Sequence, residues 1–515
     1  MQGAGEGGPL GAAGRAGTRA RLAGSLRALL QARDPAAAPP GEAAAEAAAE
    51  AIEARAFAKA EATSRTTTGA RPRREVLQVY ARAAGELVQR VLAEGLGAVT
   101  GAPAGAALTA GGRFSLEGER EFLSEASARA ALAPVLEGGA CAPGELRALK
   151  LSTKSFGDDS VGPVLEALQV HAQGLQEADV SDCVSGRREE EALRTLERLS
   201  EALACCPALE ALDISDNALG EKGVRRFAAV LRAQPRLRSL GLLNIGCSPQ
   251  ACAAVAELLG APEELRRLHL FNNMSDDAGA LSIAGLLRSA AIEDFRMGSS
   301  RVKEVGGAAL AEALAGKALQ RVDLSDNPMG PSVGPAFGAM FAGSPARTLT
   351  HCNLSELCLE DEGLVALAGG LASCAALEVL ELGANEMTKV GARALARAMG
   401  GLGKLRVLNV RENELGNKGA AAIAGGVASC PALETLDMYQ NEIQADGALA
   451  VARALAGKPG LVRVDLNANY IAEESLEELQ FVVREATAGR DVLADFDENE
   501  PDLAEEGEED SEDEE

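Results

Sequence analysis

Leu405-Arg-Val-Leu408-Asn-Val410-Arg-Glu-Asn413 is the stretch on which the fold turns. Counted from zero at Leu405, apolar side chains hold positions 0, 3 and 5, and Asn holds position 8. The phrase returns as Leu209-Glu-Ala-Leu212-Asp-Ile214-Ser-Asp-Asn217 and as Leu377-Glu-Val-Leu380-Glu-Leu382-Gly-Ala-Asn385. Twelve copies start at 146, 175, 209, 237, 265, 292, 319, 349, 377, 405, 433 and 461, with spacings of 29, 34, 28, 28, 27, 27, 30, 28, 28, 28 and 28. The alternation at positions 3 and 5 is that of a half-buried strand. Between strands, stretches such as Gly223–Leu231 and Gly391–Met399 carry apolar residues at helical spacing. One strand and one helix cannot bury their apolar faces alone, so the units must stack.

The period and consensus identify a leucine-rich repeat, an α/β solenoid similar to the ribonuclease-inhibitor type, with about 12 repeats of about 28 residues. The helical layer is wider than the strand layer, so the stack curves and its parallel strands line the concave face. Scarce aromatics (no Trp, three Tyr) suit a core of small aliphatic side chains. The net charge of −26 argues against nucleic acid or an anionic membrane as the main partner. No apolar run is long enough to span a bilayer. The ten cysteines contain no C-x-x-C, and Cys206, Cys374 and Cys430 each stand three residues before a repeat's first Leu. That recurrence reads as core packing in a reduced, intracellular protein.

Residues 1–40, rich in Gly, Ala, Pro and Arg, are expected to be disordered, and their arginines also suit a transit peptide. Residues 41–97 read as a small helical module, including an amphipathic helix over 76–94, and 98–112 as a Gly/Ala linker. Residues 113–490 are the repeat domain, capped by 114–136 and by a helix over 475–487. Residues 491–515 form an acidic tail with 15 acidic residues in 25 and no basic one.

Position 8 carries Asn in seven repeats, at 217, 273, 327, 385, 413, 441 and 469, where a buried amide serves turn backbone of the adjacent coil. Position 4 projects onto the concave face and carries Asp179, Asp213, Asp323, Glu381, Asp437 and Asp465. Position 7, near the rim, adds Asp182, Asp216, Asp326, Glu356 and Glu412. A stripe of one sign either keeps a strand face soluble or docks a basic partner. Lys150, His269 and Arg296 interrupt it, ready to meet acidic groups. Two irregularities stand out. The second repeat is six residues longer than 28, and the extra length is expected in a rim loop over 181–191 that presents Arg187 and Arg188. The repeat at Leu237 has Ile245 in the ladder slot and Asn244 one place early, exposed on the rim; Asn272 shares its position, and on periodicity alone either is equally read as a common turn former. The chain carries no P-loop, nucleophile elbow or metalloprotease motif, and its three histidines lack metal-ligand spacing, so no enzyme or metal site of its own is expected.

At these rim segments the chain resembles the Ran GTPase-activating proteins, the plant type above all. The likeness lies in Val180-Ser-Asp-Cys-Val-Ser-Gly-Arg187, Ser215-Asp-Asn-Ala-Leu-Gly-Glu-Lys-Gly223, Phe271-Asn-Asn-Met274, Glu293-Asp-Phe-Arg296, Phe114-Ser-Leu-Glu-Gly118 and the acidic tail. It covers roughly residues 110–515. The resemblance implies a protein that binds Ran-GTP and speeds hydrolysis in nucleocytoplasmic transport without an arginine finger. A rim Asn orients the GTPase's own catalytic Gln; by motif it falls on Asn244, and the family's rim Arg on Arg187. Ran brings GTP and Mg, so no cofactor of the chain's own is expected. Partner contacts are expected at Asp182, Asp213, Asp216, His269, Asn272, Arg296, Asp323, Asp326, Glu356 and Glu381. Ran-binding proteins and nuclear-envelope anchors are further partners of such a protein, and its place is the cytoplasm and the outer nuclear envelope. Ala51–Ala58 and Val79–Arg82 resemble parts of the plant targeting domain, whose Trp-Pro-Pro motif is missing from a chain without Trp. The alternative is a non-catalytic scaffold or inhibitor that binds a basic protein.

Overall fold

The computed structural model describes residues 107–499 except 110, 117, 119, 219 and 344–346, together with Leu22, Ala23, Ala49, Ile52, Arg82 and Val88. The expectations for 1–40, 41–97, most of 98–112 and 500–515 lie outside the described residues. The chain divides into two compact units, Met1–Gly105 and Ala106–Glu515, and the repeats make up the second.

Twelve short parallel strands, one per repeat, join one 14-stranded sheet in chain order. Register is uniform. Position 4 of each repeat pairs with position 4 of the next, from Lys150 with Asp179 and Asp213, through Gly241, His269, Arg296, Asp323, Asn353, Glu381 and Asn409, to Asp437 and Asp465. A strand of three residues has room for one core side chain between two outward ones, and the burial pattern of most strands is half-buried, buried, half-buried. Positions 0, 3 and 5 are buried throughout: Leu405, Leu408 and Val410 have no exposed surface. Cys206, Cys374 and Cys430 are free thiols buried in the same core.

The Asn ladder is built as its spacing predicts. Asn413 accepts from the backbone N–H groups of Asn385 and Met387 at 2.9 and 3.0 Å and donates to the carbonyls of Leu382, Val410 and Arg411. All seven ladder residues are buried. Cys183 fills the slot in the second repeat and Ile245 in the fourth, both buried.

Both open edges of the sheet are closed, and here the structure departs from the sequence reading. Ala107–Leu108, inside the expected linker, pairs antiparallel with Arg113–Ser115. At the other end Asp491–Asn499, assigned to the tail, runs beside the last strand. Val464 N–H donates to Val492 O at 2.7 Å, Ala494 N–H donates to Val464 O at 2.9 Å, and Val492 is buried. An uncovered edge strand leaves unpaired backbone groups, which is the physical reason that apolar Val492, Leu493 and Phe496 pack there instead of remaining in solvent. The helix that precedes them is Glu473–Ala486.

The long second repeat also differs from expectation. Its loop from Val180 to Arg188 is only slightly longer than its counterparts. Much of the insertion extends the following helix, Glu189–Ala204, to 16 residues, against 11 in Lys389–Met399. Glu189, Glu190 and Glu191 occupy that helix's first turn, where negative charge meets the positive end of the helix dipole.

A candidate partner-binding face

Position 7 has a structural requirement of its own. In all twelve repeats this residue adopts a left-handed backbone: Thr153, Asp182, Asp216, Asn244, Asn272, Ser299, Asp326, Glu356, Ala384, Glu412, Gln440 and Ala468, with φ between 47° and 69°. Asn and Asp enter that region most easily among residues with a side chain. A rim Asn therefore has a backbone reason to be Asn, as expected of a residue type that commonly forms turns.

What sets Asn244 apart is its side chain. Asn244 is exposed, and its Nδ2 donates to Asp216 Oδ1 at 3.0 Å. Its Oδ1 accepts from Asn272 Nδ2 at 3.1 Å. The ionised carboxylate of Asp216 can only accept, so it forces the Asn244 amide to turn Nδ2 towards it, and Asn272 must then present Nδ2 to Oδ1. One carboxylate thus sets the direction of a three-residue chain along the rim. An amide has two N–H donors and two acceptor lone pairs, so Asn244 keeps one of each for a partner. The rest of the pair imposed by Ile245 is apolar packing: Ile245 is buried with Ile214, Val224 and Phe227.

Arg187 stands differently from its expectation as a rim group. Its side chain is only 14% exposed. Nη2 donates to Leu123 O at 3.0 Å and to Ser155 O at 2.7 Å, Nε donates to Ser155 Oγ at 3.1 Å, and Nη1 meets Glu191 at 3.4 Å. The guanidinium also lies 5.2 Å from the centre of the Phe122 ring. Gly186, with φ of 77°, passes so close under Phe122 that a Cβ would come within 2.5 Å of the ring. Ser-Gly-Arg is therefore a staple that ties the loop to the N-terminal cap. Arg188, beside it, is exposed. Asp182 is likewise occupied: it is buried, pairs with Arg120 at 2.5 Å and accepts from Ser185 Oγ.

On the concave face, the short acids at position 4 carry a local duty that charge counting missed. The side-chain Oδ1 of Asp179, Asp213, Asp323, Asn353, Asn409, Asp437 and Asp465 each accepts the backbone N–H two residues on, at 2.9 to 3.1 Å. Asp and Asn reach that group where the strand ends; Glu is one carbon too long. The stripe is thus partly a strand-terminating device. Glu381 has no such bond among those formed by position 4. Burial, with Asp323 nearby, pushes its carboxyl up to about 7, partly offset by Arg411. Burial and Asp465 raise Asp437 to about 6. Asp326 accepts from Ser299 Oγ at 2.5 Å, and Glu356 is exposed on the rim.

The break in the stripe is organised around a residue the sequence reading passed over. Asp294, buried at position 2, lies 2.9 Å from His269 Nε2 and 3.3 Å from the Nε atoms of both Arg267 and Arg296. Burial lowers the imidazole pKa of His269 despite the Asp294 carboxylate beside it. Burial also brings His351 down to about 4, with the Arg321 charge acting the same way. The signal was present in the sequence: position 2 reads Arg267, Asp294 and Arg321 in consecutive repeats.

Comparison with known proteins fits this architecture. Residues 205–228 and 404–424 match the family model described as Leucine Rich repeat. The chain is 36% identical over 126 residues to RAN GTPase-activating protein 1 of Arabidopsis thaliana, covering 24% of this chain and 23% of that protein. It is 38% identical over 127 residues to RAN GTPase-activating protein 2 of the same plant, covering 24% and 22%. The ribonuclease inhibitor of Mus musculus is 27% identical over 257 residues, 48% of this chain and 54% of the inhibitor. The chain spans less than a quarter of the length of the first two relatives. It is a leucine-rich-repeat solenoid, similar in sequence to the plant Ran GTPase-activating proteins.

Proposed function

We propose that this chain activates the GTPase Ran. In this reading it binds Ran-GTP through the rim and concave face, and the Asn244 amide orients the catalytic Gln of Ran so that the attacking water is held in line. The single observation that carries the reading is the fixed, exposed Asn244 amide, with one donor and one acceptor left over. That is the complement of a glutamine side chain, which pairs with it donor to acceptor. Holding reacting groups in the productive geometry is worth roughly 7 kcal/mol of barrier or more, about 10⁵-fold in rate. GTP and Mg come with the partner, and the chain contributes no cofactor. Arg187 serves as a staple beneath the docking surface, without touching the nucleotide. Activity of this kind belongs in nucleocytoplasmic transport, in the cytoplasm and at the outer nuclear envelope, where Ran-binding proteins and envelope anchors would be further partners.

A second reading, a non-catalytic scaffold or inhibitor of a basic protein, is favoured by the acidic concave row and by the ribonuclease-inhibitor likeness, which covers more of the chain. Single-turnover GTP hydrolysis by Ran, with and without the protein, separates the two. Acceleration supports the activator; binding without acceleration leaves the scaffold. Because position 7 is left-handed, Asn244→Ala carries a backbone cost of about 1 kcal/mol, so Asn244→Gly is measured beside it. Both should lose about 10²-fold or more in maximal rate while Ran-GTP affinity changes little. A folded Asn244→Gly protein with full activity would refute the assignment.

A further inference from the structure

We propose that the middle of the concave face is a carboxylate-binding clamp, formed by Arg267 and Arg296 around buried Asp294, that receives an acidic side chain of a docked protein whose flanking surface is basic. Asp294 engages each guanidinium through Nε. A guanidinium held at Nε keeps its planar fork pointing away from the contact. Among the described residues no hydrogen bond holds the Nη groups of either arginine, and their side chains remain 56% and 38% exposed. The two arginines therefore stand diagonally on neighbouring strands, both against Asp294, because Arg267 pairs in register with Asp294 and Arg296 with His269. Arg321, the next register partner of Asp294, adds a third cation. Three arginines against one buried carboxylate leave an excess of positive charge.

The surroundings decide the ligand. Asp213 lies two strands to one side of His269, and Asp323 lies next to Arg296 on the other. At about 4.8 Å per strand, the two carboxylates stand roughly 19 Å apart with the clamp between them. A ligand that fills this face must read basic, acidic, basic over about six extended residues. A phosphate, with its larger negative charge, meets the flanking carboxylates unfavourably. If the docked protein is Ran, the proposal deepens the activator reading, but the clamp does not depend on it.

The test uses the full chain and two peptides, Lys-Lys-Lys-Glu-Glu-Lys-Lys-Lys and the same with Gln-Gln in the centre, followed by fluorescence anisotropy. Simple attraction to a chain of net charge −26 favours the more cationic Gln peptide. The clamp predicts the reverse, with the Glu peptide binding about tenfold tighter, and that preference inverting in the Arg267→Glu, Arg296→Glu double variant. Equal or tighter binding of the Gln peptide by the unaltered chain would overturn the proposal. So would displacement of the Glu peptide by inorganic phosphate at millimolar concentration, which would make the site a phosphate site. With Ran-GTP, the double variant should weaken binding about tenfold. Failure of the unaltered chain to bind Ran would remove the activator reading, while the peptide preference would still decide the clamp.

Discussion

Arg187 and Glu381 show how a side chain's duty depends on neighbours far away in sequence. Arg187 donates to carbonyls of Leu123 and Ser155, 64 and 32 residues distant. Removing it strands partly buried acceptors and a cation–π contact, so Arg187→Ala should cost about 2–3 kcal/mol. Urea unfolding should show a lower midpoint at unchanged slope, with the saturated hydrolysis rate within about twofold of the parent where the protein stays folded. Loss of activity without loss of stability would return Arg187 to the partner surface. Glu381 is governed by burial. Its folded pKa, about 7, lies above its unfolded value, so the folded state holds the proton more tightly. The resulting stability is present at low pH and is lost as pH rises towards and through 7. Glu381→Gln should therefore melt higher than the parent at pH 8, by roughly 2 °C or more, with no such gain below about pH 4.5. A scan of melting temperature against pH checks both ends. Asn244 was legible because it breaks a period. The roles of Arg187 and Asp182 were not, because their partners, Phe122 and Arg120, lie outside the repeat that contains them.

The strand–helix unit was readable from its first Leu, and the ladder followed from the same count, because each Asn serves a neighbour one period away. The edges were not readable by that logic. Ala107-Leu108 sits among Gly and Ala, which read as linker, and Val492-Leu493 sits in an acidic segment, which read as tail. Composition describes a segment's average; two or three residues suffice to close a sheet edge. The C-terminal segment gives a sharp comparison. Beyond the strand pairing, Asn467 Nδ2 donates to Asp497 Oδ1 at 3.1 Å, and Tyr439 Oη donates to Glu498 Oε2 at 2.5 Å. Asn499 Nδ2 donates to Ile471 O. A chain ending at Asn499 should keep the melting temperature of the full protein. A chain ending at Arg490 exposes the last strand and the apolar surface under Val492 and Phe496, and should melt several degrees lower and self-associate. Equal melting of the two truncated chains would show that the segment adds nothing to the solenoid.

At the scale of the whole molecule, two kinds of interaction with different reach are separated in space. The concave row and the net charge of −26 act at long range and are screened, with a Debye length of about 8 Å at physiological salt. The Asp216–Asn244–Asn272 chain acts through contacts of 3.0 and 3.1 Å that salt barely touches. Charge should therefore govern how fast a basic partner arrives, and the rim amides what happens once it is seated. The repeat unit begins at Ala106 and contains both features, so a chain starting there is sufficient for the measurement. Between 50 and 300 mM NaCl its association rate with Ran-GTP should fall by about tenfold or more, as for other steered encounters. The single-turnover rate at saturating protein should change by less than about twofold, because positioning by short hydrogen bonds does not depend on screening. Stopped-flow association and single-turnover hydrolysis over the same salt series give the two numbers. A saturated rate that falls in step with association would mean that the acidic face itself acts in the chemical step, and that the rim amide is not what completes the site.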